Sequence, residues 1–507
     1  MLAAATAARA VTPDDVLVVG QIAEPRSLDP SAVTSLNDFR ILVNMYDGLV
    51  RYRPGTLEVE PALAESWEIA DDGMTYLFHL RPDVTFHDGT PFDADAVAFT
   101  FERMLDPGHP YHDTGPFPLS FFFSVVQDVD AVDPLTVAFH LRTPYAPLLS
   151  NLAYPTGLIV SPAAVKAYGA DFASHPSGTG PFRFDRRTET GEIALVANPG
   201  YWDGPPALAG LLFRPIADAQ ARADALAAGT IDLMVEVPPD RIDAFDADPS
   251  FAVYRQTGPH LWFLILNLRE PPFDDVRMRR AVNYAIDKQA IVSDVLRGTA
   301  TVADGPIPPA FAWAHDPAVG PYAYDPAKAR ALIAEAGHGD GVEVRFLVTD
   351  GGSGMLDPVA MADAIGRDLA AVGITVVTET YDWNSYLGLV NPGLAGKGNM
   401  AEMAWMVNDP DTLPFLALRT EAFPAAGGFN SGYYTNPEVD RLLARARTTA
   451  DQDTRAALYR EVQRIVHEDA PWVFVANWQQ NAVASARVQG LRLEPSFFLL
   501  LARVGKD

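Results

Sequence analysis

The feature that most constrains this chain is a repeated alternation of strand and helix patterns joined by short turns. "VEVRFLVTD" (342–350), apolar positions at helical spacing over 357–372, and "ITVVTETY" (374–381) form one strand–helix–strand unit. "ADAQARADALAAGTIDLMVEVP" (217–238) reads as a helix stopped at Gly229 and then an apolar strand. Crossover helices of this kind cover the faces of largely parallel sheets, so the fold class is α/β, with mixed sheets flanked by helices. A chain of 507 residues exceeds one ordinary core and implies roughly two to four domains or lobes.

Local signals fix further elements. "DVLVVGQ" (15–21) is a first strand, and the prolines of "EPRSLDP" make the next stretch a loop. "ESWEIADDGMTYLFHLRPDVTFHDG" (65–89) reads as a hairpin turning at Asp71-Asp72-Gly73. Residues 91–105 form a helix capped by Asp93, and "LTVAFHLR" (135–142) joins the hairpin's sheet. "DVDAVD" (128–133) reads as a solvated turn, because it lacks the glycine and terminal Glu of a calcium loop. A boundary falls near 259, before the buried strand "HLWFLILNL" (260–268). Residues 271–298 then read as one helix, capped by Asp274 or Asp275 and stopped by Gly298. A further helix starts at Asp325-Pro326 and ends at Gly337.

Composition removes several function classes. A formal charge of -27 repels nucleic acid and anionic lipid. The absence of Cys excludes disulfides, thiolate metal sites and cysteine nucleophiles, and there is no HExxH motif. No cofactor and no resident metal is expected. No run approaches the ~18 apolar residues of a membrane span. "MLAAATAARA" carries an A-x-A pattern at Ala8-Arg9-Ala10, so residues 1–10 read as the remnant of an export signal or as disordered. "HDG" (87–89) is a turn rather than a catalytic pair, since no nucleophile elbow accompanies it. "DGGSG" (350–354) lacks the Lys and Ser/Thr of a phosphate loop and reads as a flexible loop.

"EMAWMVNDPDTLPF" (402–415) leaves three chemistries open. Glu402, Asp409 and Asp411 can be a metal or metallophore site, a glycosidase carboxylate pair, or part of a ligand clamp. Two acids at i, i+2 in one turn fit poorly with the ~5–10 Å separation across a substrate that glycosidases use.

Six stretches, in order, resemble the dipeptide/oligopeptide-type (family 5) substrate-binding proteins of bacterial ABC importers. They are the 65–104 hairpin and helix, "SGTGPFRF", "NPGYWDG", "PPFDDVRMRRAVNYAIDKQAIV", "ARALIAEAGH", and "GYYTNPEVDRLLARA" with "LYREVQRIVHEDAPWV". The resemblance implies a two-lobe periplasmic-binding-protein fold and no enzyme activity. It places lobe I at 11–43, 176–258 and 480–507, an extra subdomain at 44–175, lobe II at 259–479, and hinges near Leu264–Leu268 and Val475–Trp478. It implies a monomeric periplasmic protein that closes on a small-molecule ligand and delivers it to a transmembrane permease.

In such proteins the Trp-containing segment lines the ligand cleft, and an acid after the Trp pairs with a peptide ammonium. Here Trp405, Met406, Asn408 and Asp409 occupy that segment. The resemblance also points to Trp383 and Tyr386, with Phe429 and Trp478 as further aromatic candidates. Tyr111 and Phe117 are expected at the cleft mouth, and Ser27 and Leu28 at the carboxyl end of the first strand. The positions where relatives carry a carboxylate-binding Arg read Glu402 and Gly352, with Arg26 or Arg345 as substitute cations. The ligand is therefore expected to be peptide-like or a refitted cargo: a modified peptide, an opine or sugar conjugate, or an oligosaccharide.

Overall fold

The first strand, β1 (Val16–Gln21), is buried along nearly its whole length because it has parallel partners on both sides. This computed structural model describes residues 12–352 and 354–507, so the export-signal stretch lies outside the described residues. The chain divides into two compact units, Met1–Gln256 with Gln480–Asp507, and Thr257–Gln479.

In the first unit, α1 (Leu36–Leu42) follows the proline loop and is capped by Ser35, whose side chain accepts from the Asn37 N–H. β2 (Ala64–Ile69) and β3 (Thr75–Leu80) form the expected hairpin, with Gly73 at φ +68 in its turn. The pairing stops at Leu80, short of 89. α2 (Ala94–Leu105) takes its cap from Asp93, whose carboxylate accepts from the Ala96 N–H at 3.0 Å. β4 (Val126–Asp133) and β5 (Thr136–Leu141) complete an antiparallel sheet in the order β2-β3-β5-β4. "DVDAVD" is thus an exposed strand and not a turn: β5 supplies backbone partners while its acids face water.

Phe78, Phe101, Phe123 and Phe139 interlock edge-to-face at 4.9–5.5 Å between this sheet and α2. Each fully buried ring contributes about 1.5–3 kcal/mol. The larger sheet of the unit runs β6 (Phe182–Arg187), β7 (Ile193–Ala197), β8 (Gly210–Pro215), β1, β9 (Leu233–Val235), then the far end of the long strand Trp472–Ser485. The glycines of "SGTGPF" are packing residues, not flexible ones. A Cβ at Gly178 would sit 2.3 Å from the Met45 carbonyl oxygen, and one at Gly180 would sit 2.5 Å from the Met45 carbonyl carbon. "HDG" staples the same turn: the His87 N–H donates to Gly178 O at 2.8 Å, and the Ser177 hydroxyl accepts from the Asp88 N–H at 3.2 Å.

In the second unit the sheet begins with β10 (His260–Leu266), which has no exposed residue. α3 (Val276–Ala285) is capped by Asp275 but ends at Ala285, so the single helix expected over 271–298 is broken. Asp287 causes the break. Its carboxylate caps a new turn at the Ala290 N–H (2.9 Å), while its own N–H donates to Asp368 Oδ2. β11 (Val342–Thr349), α4 (Pro358–Ala370) and β12 (Ile374–Tyr381) form the expected crossover unit, β11 and β12 pairing in parallel. α5 (Trp383–Val390) and β13 (Met400–Met406) follow, giving the order β12-β11-β13-β10 and then the long strand Trp472–Ser485. α6 (Thr412–Ala417), α7 (Pro437–Thr448) and α8 (Gln452–Asp469) pack at the end of β13 and on one another. No helix of the described residues is long and apolar enough to cross a membrane.

Candidate functional site

β13 pairs antiparallel with β10, bringing Trp405 opposite Leu261 and Met406 opposite His260. The strand holds its inner residues under α5, and its last two, Trp405 and Met406, emerge half-buried. The ring of Trp405 meets Phe429 edge-on at 5.2 Å, and Phe429 is 38% exposed. The pair is an apolar edge with a wet rim, suited to stacking on a solute.

The acids of the same stretch are spent inward. Asp409 is 0% exposed, and its Oδ1 accepts from Arg455 Nη2 at 2.7 Å and from the Asp411 N–H at 2.9 Å. Arg455 in turn reaches the Tyr459 hydroxyl at 3.1 Å. This buried pair corrects the expectation that Asp409 receives a ligand ammonium: the carboxylate already neutralises a guanidinium, and a buried charge is kept only when paired. Asn408 is buried too, accepting from the Thr412 hydroxyl at 3.1 Å across the first turn of α6. Asp411 binds Arg447 at 2.8 Å, and Arg447 lies 3.6 Å over the Phe415 ring. Burial pushes the Asp411 carboxyl up to about 6 despite that guanidinium.

Glu402 is fully buried. Its Oε1 accepts from the Thr349 N–H at 2.8 Å and its Oε2 has no partner among the described residues. With no cation beside it among the described residues, desolvation raises it to about 8, so it is a neutral acid at pH 7. Three acids placed this way form neither a metal site nor a glycosidase pair. Among the described residues no group of three or more His, Asp or Glu could hold a metal.

Trp383 opens α5 and stacks on Tyr386 at 6.1 Å and 15°. Tyr386 is a core residue and not a cleft residue: it is 0% exposed and its hydroxyl donates to the Glu402 carbonyl. The helical period turns it inward, three residues from Trp383. Gly352 lies under Trp383, where a Cβ would meet the ring at 2.4 Å. Trp478 faces His260 edge-on at 5.9 Å. Sequence reasoning missed His260. Its Nδ1 accepts from the Trp478 N–H at 3.1 Å, so Nε2 carries the proton and donates to the Gly354 carbonyl at 2.8 Å. Burial lowers this imidazole to about 4, which keeps it neutral. A lone His before an apolar strand gave no signal of that role.

In the first unit, Ser27 is half-buried, its hydroxyl accepting from the Asp29 N–H at 3.1 Å. Leu28 is 3% exposed, and its carbonyl accepts from the Tyr46 hydroxyl at 2.8 Å. Leu28 therefore packs inward rather than toward a solute. Asp29 grips Arg103 of α2 with both oxygens at 3.0–3.1 Å, fixing the loop after β1. Phe117 belongs to the core beneath that pair, 4% exposed with Arg103 5.2 Å from its ring, which corrects its expected place at a cleft mouth. Tyr111 is half-buried against Phe99 at 5.8 Å. Of the substitute cations, Arg345 pairs with Glu379 at 2.8 Å.

The bacterial extracellular solute-binding protein family 5 (middle) model matches residues 58–425, more than half of the chain. The chain is similar to di/tripeptide-binding protein 2 of Pseudomonas aeruginosa, 32% identical over all of this chain and 98% of the relative. It is similar to heme-binding protein A of Haemophilus influenzae, 35% identical over 89% of this chain and 85% of the relative. The structure of HbpA2 from Haemophilus parasuis superposes with a TM-score of 0.91 at 30% identity, covering 97% of this chain and 100% of that one. The chain belongs to the family 5 extracellular solute-binding proteins. It is a ligand-capturing component of an ABC importer, with the two-lobe fold of periplasmic binding proteins.

Proposed function

We propose that the chain is a periplasmic monomer that captures a peptide-like solute and delivers it to the importer's transmembrane permease. The relative named for di- and tripeptides, aligned over the whole chain, supports the cargo class. The observation that carries the site is the half-exposed Trp405–Phe429 edge at the end of β13. Met406, Trp383 and Trp478 are the further candidates for this lining within the same unit. Neutral aromatic rings with inward-tied acids bind a peptide by its side chains and backbone more than by its ammonium, which admits modified peptides and sugar or opine conjugates.

A thermal-shift panel of di- and tripeptides, sugar–amino-acid conjugates and oligosaccharides tests this reading. A ligand at 100 times its Kd stabilises the native state by about 2.7 kcal/mol. Trp405→Ala with Phe429→Ala is expected to weaken the best ligand at least tenfold, with circular dichroism confirming that the ligand-free variant is folded, since Trp405 is partly buried. An unchanged affinity in that double variant places the solute elsewhere.

A further inference from the structure

The carboxyl edge of β1 and β9 gathers buried polar groups that outnumber their partners. Arg40, on α1, is 0% exposed. Its Nη1 donates to Glu236 Oε1 at 2.9 Å, just past β9, while its Nε and Nη2 have no partner among the described residues. That unused edge is the side-on fork with which a guanidinium holds a carboxylate at two points. Beside it, Gln21 and Asn37 both donate to the Ala23 carbonyl, at 3.0 and 2.8 Å, leaving Gln21 Oε1 and Asn37 Oδ1 unpartnered. Asn37 lies one helical turn before Arg40. Gln480, next to the Asn481 that bonds Val237, has neither amide atom partnered.

Charge is also unbalanced there. Arg222 is 2% exposed and is held by the carbonyls of Ile216, Ala217 and Glu236 rather than by a carboxylate. Of these two buried guanidiniums only Arg40 is hydrogen-bonded to a carboxylate, that of Glu236, among the described residues, while Asp218 caps a helix. Asp38, two residues from Arg40 on α1, is turned to the other side, where it accepts from the Arg26 N–H. An anion is the complement this arrangement asks for. Glu236, which holds Arg40, is itself partly open to solvent, its side chain 28% exposed against 1% for Arg40. The carboxyl ends of strands in such α/β sheets are where small ligands meet a fold.

We propose that the Nε–Nη2 edge of Arg40 is an anion point for a carboxylate-bearing solute within the first unit. Its assignment to the cargo rests on the solute-capture reading above, while the anion site itself does not.

Thermal unfolding in sodium formate against sodium chloride at matched ionic strength tests the site, formate being the smallest carboxylate. The wild type is expected to show a saturable Tm rise in formate that Arg40→Met abolishes. Arg345→Met, which removes a surface cation, is expected to keep it. Arg40→Lys retains the charge without the fork and is expected to weaken formate at least tenfold, which serves if the Met variant does not fold. No saturable formate effect in the wild type, or an effect that survives in Arg40→Met or is undiminished in Arg40→Lys, overturns the proposal. A dipeptide and its C-terminal amide then read the cargo class, with at least tenfold weaker binding of the amide expected. If Arg40-dependent formate binding is present but neither dipeptide binds, the peptide reading falls and the anion site stands.

Discussion

Replacing Glu402 with Gln tests the reasoning about the buried acids most directly. Gln has the same shape, and its carbonyl can keep the 2.8 Å bond from the Thr349 N–H. What it removes is ionisation. The Glu402 carboxyl is raised from 4.5 to about 8 in the folded protein. Below pH 4.5 both folded and unfolded chains hold the proton, and the stability this group confers is fully present. As pH rises the unfolded chain releases its proton first, and the contribution is lost progressively until it is gone above about 8. Between pH 6 and 7 the two states differ by close to one proton, worth about 1.4 kcal/mol per pH unit, and the difference falls to about half a proton at pH 8. Glu402→Gln is therefore expected to gain about 2.5 kcal/mol on the wild type between pH 6 and pH 9. Urea unfolding followed by tryptophan fluorescence at the two pH values measures it, because Trp383 and Trp405 report on this unit. A difference between variant and wild type that does not change with pH would show that Glu402 is not a neutral buried acid.

Other consequences follow from burial elsewhere. Asp409→Asn leaves Arg455 buried and unpaired and is expected to cost about 3–5 kcal/mol, read as a lower urea midpoint. Lys288 is buried, its ammonium 3.4 Å from two Asn283 oxygens and with no carboxylate partner among the described residues, and burial lowers it from 10.5 to about 7. Its sign is opposite to that of Glu402: the folded state lacks a proton the unfolded chain holds, so stability grows as pH rises from 7. Lys288→Met should stabilise the protein, by about 2 kcal/mol more at pH 7 than at pH 9, and an advantage that does not shrink refutes the assignment. Gly178→Ala forces a methyl against the Met45 carbonyl at 2.3 Å and is expected to lower Tm by several degrees, whereas Gly366→Ala, within α4 and with open space around it, is expected to cost nothing.

The elements legible in the sequence were those set by neighbours in the chain. Asp93, Asp275 and Asp325 cap the helices they were read to cap, because an N-cap needs only its own carboxylate and the next few N–H groups. The hairpin at Asp71-Asp72-Gly73 and the crossover unit over 342–381 have the same origin in turn chemistry and period. The ordered motifs likewise identified the solute-binding family. Partnership across the fold was not legible. Whether Asp409 faces a solute or Arg455, 46 residues away, depends on where α8 packs. Trp383 and Tyr386 share one helix, yet only Tyr386 is sealed, because β13 covers that face. Arg40 carried no signal in the sequence; Glu236, 196 residues on, takes one edge of its guanidinium and leaves the other open. Local chemistry is written in neighbouring residues, but desolvation and charge pairing depend on distant ones, so only the tertiary structure decided what each buried charge does.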